Sequence, residues 1–155
     1  MLVPFNLPHV FHPGSDKLLN ARTLRTMMDF MVNMNRVFLE ESNRLGYAAK
    51  YGRPLYSSGV VYDRTVYWEP IPALYARGHG DCKSLSAAWI AQAAFYKGIK
   101  SRPVFRFVDN DDGSIDYHIL VELANGNFED PSKVLGMGDD EVRKFYGPTA
   151  YFPLT

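Results

Sequence analysis

Three side chains in this sequence form a set that could carry covalent chemistry: Cys82, His118 and Asp130. Cys82 is the only cysteine, and it stands in Gly78-His79-Gly80-Asp81-Cys82-Lys83-Ser84-Leu85-Ser86, just ahead of an Ala-rich run with helix composition and no Gly or Pro. A thiol in the first turn of a helix meets free backbone N–H groups and the positive end of the dipole, which favour a thiolate. Asp81 is expected to cap that helix, its carboxylate accepting from the backbone N–H near Ser84, and the glycines at 78 and 80 allow close backbone approach. His118 lies in an alternating stretch, on the face opposite Ile119 and Val121, and Asp130 closes a short strand after the next turn. Adjacent antiparallel strands bring such residues within about 5 Å of each other. A carboxylate can then hold one imidazole nitrogen while the other faces the thiol, giving a nucleophile, a base and an orienter.

Each residue taken singly has a plainer use. A lone cysteine is commonly an inert small core residue, a strand histidine is commonly structural, and Asp-Pro commonly marks a turn. Taken singly, each plainer use is the commoner one. His79 competes with His118 as the partner of the thiol, and His79, Cys82, His118 and Asp130 would make a mixed zinc set. Such sets are uncommon in closed structural sites and no second Cys-x-x-Cys pair supports one, so no metal and no cofactor is expected. For the oxyanion, the Cys82 N–H is one donor; the indole N–H of Trp68 is the candidate second, with Tyr62, Tyr67 and Tyr75 as further candidates.

The elements that must position these groups follow from periodicity. Pro4, Pro8 and Pro13 make residues 1 to 14 an extended arm. From Ser15 or Asn20 to Leu45, Leu24, Met27, Met28, Met31, Met34, Phe38 and Leu45 recur at helical spacing, and Gly46 ends the run; the methionine stripe is read as core. Residues 47 to 77 read as irregular, with strand composition at Val60-Val61-Tyr62 and Thr65-Val66-Tyr67-Trp68 and a helical turn near Ala73 to Ala76. The cysteine helix runs to about Tyr96 with Gly98 as its C-terminal cap. Two strands follow, around Val104 to Val108 and Ile115 to Leu123, joined by Asn110-Asp111-Asp112-Gly113; that turn lacks the spacing and final Glu of a calcium loop. Asn125-Gly126 leads to a short strand through Phe128, and Asp139 to Phe145 reads as a last helix.

At 155 residues the chain suits one domain spanning 1–155, with its core in 15–147, and needs no disulfide. Seventeen basic and seventeen acidic side chains cancel, so no overall field points to nucleic acid or an anionic membrane. The first residues lack a basic n-region with a continuous apolar core, and no apolar run reaches the length of a membrane span. The expected setting is a reducing cytoplasm.

Four separated pieces of the sequence resemble the transglutaminase-like superfamily of papain-like cysteine enzymes. They are Gly80-Asp81-Cys82-Lys83-Ser84-Leu85-Ser86, Gly98-Ile99-Lys100-Ser101-Arg102-Pro103-Val104, Asp116-Tyr117-His118-Ile119-Leu120-Val121, and Asn127-Phe128-Glu129-Asp130-Pro131. They fall in the family's order over residues 78 to 131. Asp130 to Met137 also resembles small members encoded by tailed phages and prophages. The resemblance implies an α+β papain-like fold, with N-terminal helices and the nucleophile helix packed on a small antiparallel sheet. It also implies that Cys82 is the nucleophile, His118 the acid/base and Asp130 the orienter of a peptidase or amidase acting on a protein or peptide. Transglutaminase-type cross-linking is one alternative; a phage assembly module with an idle thiol and phage partners is another.

Overall fold

The structure is a computed structural model that describes residues 17–153. The proposed arm at 1–14 lies outside the described residues. Helix α1 spans Lys17–Arg44, and its buried side chains Leu24, Met28, Met31, Asn35, Leu39 and Ser42 fall three or four apart, a single apolar stripe. Met28 and Met31 are buried and Met27 and Met34 pack partly against them, so the methionines serve as core. Leu45, expected on the stripe, lies past the helix end and is exposed, because Gly46 turns the chain at φ +83°.

The segment expected to be irregular holds several short elements: α2 (Ala48–Tyr51), a 3-10 turn (Leu55–Ser57), β1 (Val61–Tyr62) and α3 (Ile71–Arg77). Strand β1 pairs in parallel with β2 (His79–Gly80), which delivers the chain directly to Cys82. Thr65 to Trp68 is not a strand. The Thr65 carbonyl accepts from the Lys83 ammonium and the Thr65 hydroxyl accepts from the Tyr67 N–H, so side chains take backbone groups that a ladder would need.

Helix α4 spans Cys82–Lys97, and every residue from Cys82 to Ala88 is buried, as a central helix requires. It packs along α1, and Gly98 ends it in the left-handed region at φ +63°. Two buried amides fix its surroundings. Asn35 accepts from the Ile71 N–H at 2.9 Å, and Gln92 accepts from the Leu55 N–H at 2.9 Å while donating to the Arg53 carbonyl and the Tyr75 hydroxyl.

Strands β3 (Ser101–Asp109) and β4 (Ile115–Leu123) form an antiparallel hairpin in continuous register from Ser101↔Leu123 to Asp109↔Ile115. Asn110 to Gly113 makes the turn as expected, its geometry held by Asp112 accepting from the Ser114 N–H. The turn at Asn125-Gly126 returns the chain as β5 (Phe128–Glu129), giving the sheet order β3-β4-β5. Phe105, Phe107, Ile115 and Ile119 pack against Ala21, Leu24, Met28 and Met31 of α1 and Ala87 of α4. Burial of each large apolar side chain there contributes roughly 1.5–3 kcal/mol. The chain closes with α5 (Pro131–Val134) and α6 (Asp139–Tyr146), and Tyr151 then bridges to Phe107. The architecture is mixed α+β, with a small parallel pair and a three-stranded antiparallel sheet. Among the described residues, no helix is long and apolar enough to cross a membrane.

Candidate active site

Cys82 is the first residue of α4, a free and nearly buried thiol facing a cleft of about 640 Å³. Asp81 occupies the N-cap position with extended backbone, yet its carboxylate makes no capping hydrogen bond. It accepts instead from the ammonium of Lys83, which also donates to the Thr65 carbonyl at 2.6 Å. The physical reason is that Lys83 is only 4% exposed, and a buried ammonium needs a counter-charge more than the helix needs a side-chain cap. Burial pushes the Asp81 carboxyl above its usual range against the opposing pull of Lys83. The expected cap is therefore corrected: Asp81 anchors Lys83, and Lys83 ties the Thr65 loop to the start of the helix.

His118 sits on β4 beside Arg106 of β3, and it is 1% exposed. Side chains alternate along a strand, so His118 projects opposite to Tyr117 and Ile119, toward α6. There Phe145 lies 5.4 Å from its ring centre and Tyr146 lies 6.4 Å away. Glu129 of β5 pairs with Val121, and the next residue is Asp130, whose carboxylate Oδ2 accepts from His118 Nε2–H at 2.8 Å. The other carboxylate oxygen caps α5, accepting from the Ser132 N–H at 3.0 Å and the Lys133 N–H at 3.4 Å. With Nε2 committed to Asp130, Nδ1 is the ring nitrogen left for Cys82, which lines the same cleft and lies close enough to His118 to act on its imidazole.

The electrostatics follow from these contacts. Burial works to deprotonate His118, but its hydrogen bond to Asp130 and the neighbouring Cys82, with the charges on both, outweigh it and raise the imidazole to about 10. Burial likewise works against the Asp130 charge, yet His118, the Tyr146 hydroxyl and backbone N–H groups hold that carboxyl below its usual range. His118 and Asp130 are thus each shifted toward the charged form, with Cys82 lining the same cleft.

The structure brings Cys82, His118 and Asp130 together as their order suggested. His79 is elsewhere: its Nδ1 lies 3.7 Å from the Asp63 carboxylate, outside the cleft lining. Among the described residues, no three His, Cys, Asp or Glu side chains are placed to share a metal ion. Trp68 lines the cleft, packed in the core with the Lys83 ammonium 5.9 Å from its ring centre. Tyr62 also lines it, donating its hydroxyl to Glu141 of α6. Tyr67 is outside the lining with Arg77 over its ring, and Tyr75 is bound to the Arg53 carbonyl and Gln92.

Sequence reasoning missed four side chains at this site. Phe145 and Glu141 of α6 wall the cleft, Tyr146 hydrogen-bonds to Asp130, and Lys83 braces the loop opposite. The amphipathic Asp139 to Phe145 pattern marked a helix without saying which partner it covers. No family model, curated protein or solved structure matches the chain.

Proposed function

We propose that the chain is a cysteine-dependent acyl-transfer enzyme of the papain-like type, hydrolysing peptide or side-chain amide bonds with Cys82 as nucleophile, His118 as acid/base and Asp130 as orienter. The observation that carries this reading is the buried pair at the head of α4: Asp130 Oδ2 lies 2.8 Å from His118 Nε2, and His118 shares with Cys82 the lining of one cleft.

The chemistry then runs in two halves. The Cys82 sulfur attacks the amide carbonyl carbon, forming a C–S bond while the carbonyl π pair moves onto oxygen. The Cys82 N–H, in the first turn of α4 where backbone donors have no intrahelical partner, donates to that oxygen. His118 Nδ1–H passes its proton to the departing nitrogen, the C–N bond breaks, and an acyl-enzyme remains. A water then gives its proton to Nδ1 and adds to the acyl carbon, and the C–S bond breaks, releasing acid and restoring the free sulfur beside a doubly protonated His118. Asp130 keeps Nε2 protonated throughout, which leaves Nδ1 as the working nitrogen.

An amine in place of that water would give cross-linking by the same steps. One digest decides between them: casein or a peptide library, with and without a primary amine, using wild type and Cys82→Ala. New N-termini or released ammonia that require Cys82 support hydrolysis, and amine incorporation supports cross-linking. Neither product at any pH between 6 and 9 refutes the enzyme reading and leaves a binding module, such as a phage assembly component.

A further inference from the structure

We propose that Tyr146 is a positioning residue of this site, its hydroxyl donating to the same Asp130 oxygen that receives His118 Nε2–H, so that it completes the set of donors fixing the carboxylate. The inference rests on the triad reading above and adds to it a fourth side chain. The carboxylate of Asp130 has two lone-pair directions on each oxygen. Oδ1 is filled by the Ser132 and Lys133 N–H groups, and Oδ2 by His118 and Tyr146. No direction remains for water or for rotation away from the imidazole.

The plainer reading is that Tyr146 merely fastens α6. That helix has two other ties near the cleft, Lys144 to Asp116 and the Tyr62 hydroxyl to Glu141, and Phe145 is buried beside His118. The Tyr146 hydroxyl is therefore dispensable for holding the helix but not for saturating Asp130. Burial and the neighbouring carboxylate push the phenol well above its ordinary range, so it is a donor at every working pH.

The groups around this carboxylate and phenol come from several neighbouring elements. His118 on β4, with Cys82 beyond it, and the Lys133 N–H on α5 act on Asp130; the Lys133 ammonium lies 4.3 Å from the Tyr146 ring centre, Arg106 on β3 acts on the Tyr146 hydroxyl, and Tyr56, whose hydroxyl binds Glu129 of β5, feels the Asp130 charge. All of them survive removal of the Tyr146 hydroxyl. Without it, a buried carboxylate loses one charge-assisted donor, becomes more basic, and is free to swing.

The test is Tyr146→Phe, read by the pH titration of the Asp130 carboxyl carbon in 13C NMR and by the alkylation rate of Cys82 at pH 7. The expected result is an unchanged fold, an Asp130 midpoint displaced upward, and alkylation slowed by about three- to tenfold, the share of one charge-assisted hydrogen bond felt through His118. A folded variant with an unmoved Asp130 midpoint overturns the inference and leaves Tyr146 as an anchor. An unreactive Cys82 in wild type would instead refute the enzyme reading, and the Asp130 signal still reports on Tyr146. Should the variant not fold, wild type labelled with 13C at tyrosine Cζ serves: the Tyr146 signal must shift as Asp130 takes its proton, and a signal indifferent to that titration overturns the proposal.

Discussion

Asp130→Asn tests how the site holds its proton. Asp130 accepts four hydrogen bonds, two from the backbone N–H groups of α5 and two from His118 and Tyr146. An asparagine can keep its carbonyl on the α5 cap, but its NH2 group only donates, so it accepts from neither His118 Nε2–H nor the Tyr146 hydroxyl. In wild type His118 is raised from 6.5 to about 10, a net preference for the imidazolium on the order of 5 kcal/mol. Burial already opposes that charge, and Asp130 heads the contributions that offset it. Without Asp130, Cys82 alone faces the burial term, and the imidazole is expected to release its proton below neutral pH. The assay is a titration of the His118 ring nitrogens by 15N NMR from pH 5 to 10.5. Wild type should remain doubly protonated past pH 8 and deprotonate near 10, whereas Asp130→Asn should be neutral at pH 7.5 with the fold intact. Turnover should fall by orders of magnitude, since the tautomer and charge are no longer fixed. A variant imidazole that titrates with wild type, or near wild-type activity with only a lower melting temperature, would refute the reasoning and reduce the site to a Cys82-His118 dyad.

Cys82→Ala should leave the circular dichroism spectrum unchanged, abolish turnover, and lower the His118 midpoint in the same 15N titration, because the sulfur is one of the groups that raises it. Lys83→Met should strand the buried Asp81 carboxylate and destabilise the protein by about 3–5 kcal/mol in urea melts, with Asp81→Asn recovering part of the loss in the double variant. Stability should also fall in acid: Asp130 is lowered in the folded protein, so its contribution is present above its unfolded value near 3.8 and is lost as pH falls through the folded one. The gap between wild type and Asp130→Asn in urea should therefore close as pH drops below 4. Gly98→Ala should cost about 1–2 kcal/mol through the backbone alone, as φ is +63° and nothing crowds an added Cβ.

The sequence carried the long helix, the nucleophile helix and the hairpin because each is coded locally. The stripe from Leu24 to Phe38, the Ala-rich run ending at Gly98 and the Asn110 to Gly113 turn need no distant partner to be recognised. The candidate residues were legible as an order, since Cys82 begins a helix, His118 lies inside a strand and Asp130 follows one, each an element whose type could be read. Other features depend on contacts between distant segments. The parallel pairing of Val61-Tyr62 with His79-Gly80 joins two-residue strands too short for any periodicity. Thr65 to Trp68 has strand composition, but the buried Lys83 claims its carbonyl, and that competition appears only once α4 is placed. Asp81 looked like a cap for the same reason: only burial shows that Lys83 needs it more. Tyr146 lies sixteen residues beyond Asp130, and α5 and the start of α6 must fold back before the two meet.

The most direct measurement of the central claim is the rate of Cys82 alkylation by iodoacetamide in the folded protein against pH, for wild type and His118→Ala. The account predicts stoichiometric labelling of wild type already at pH 6 to 7, with a rate that changes little up to the pH near 10 where His118 releases its proton. It predicts that His118→Ala loses this neutral-pH reactivity and follows an ordinary thiol, rising only around pH 8.5. A wild-type profile that itself rises only above about pH 8, or labelling that requires denaturant, would contradict it.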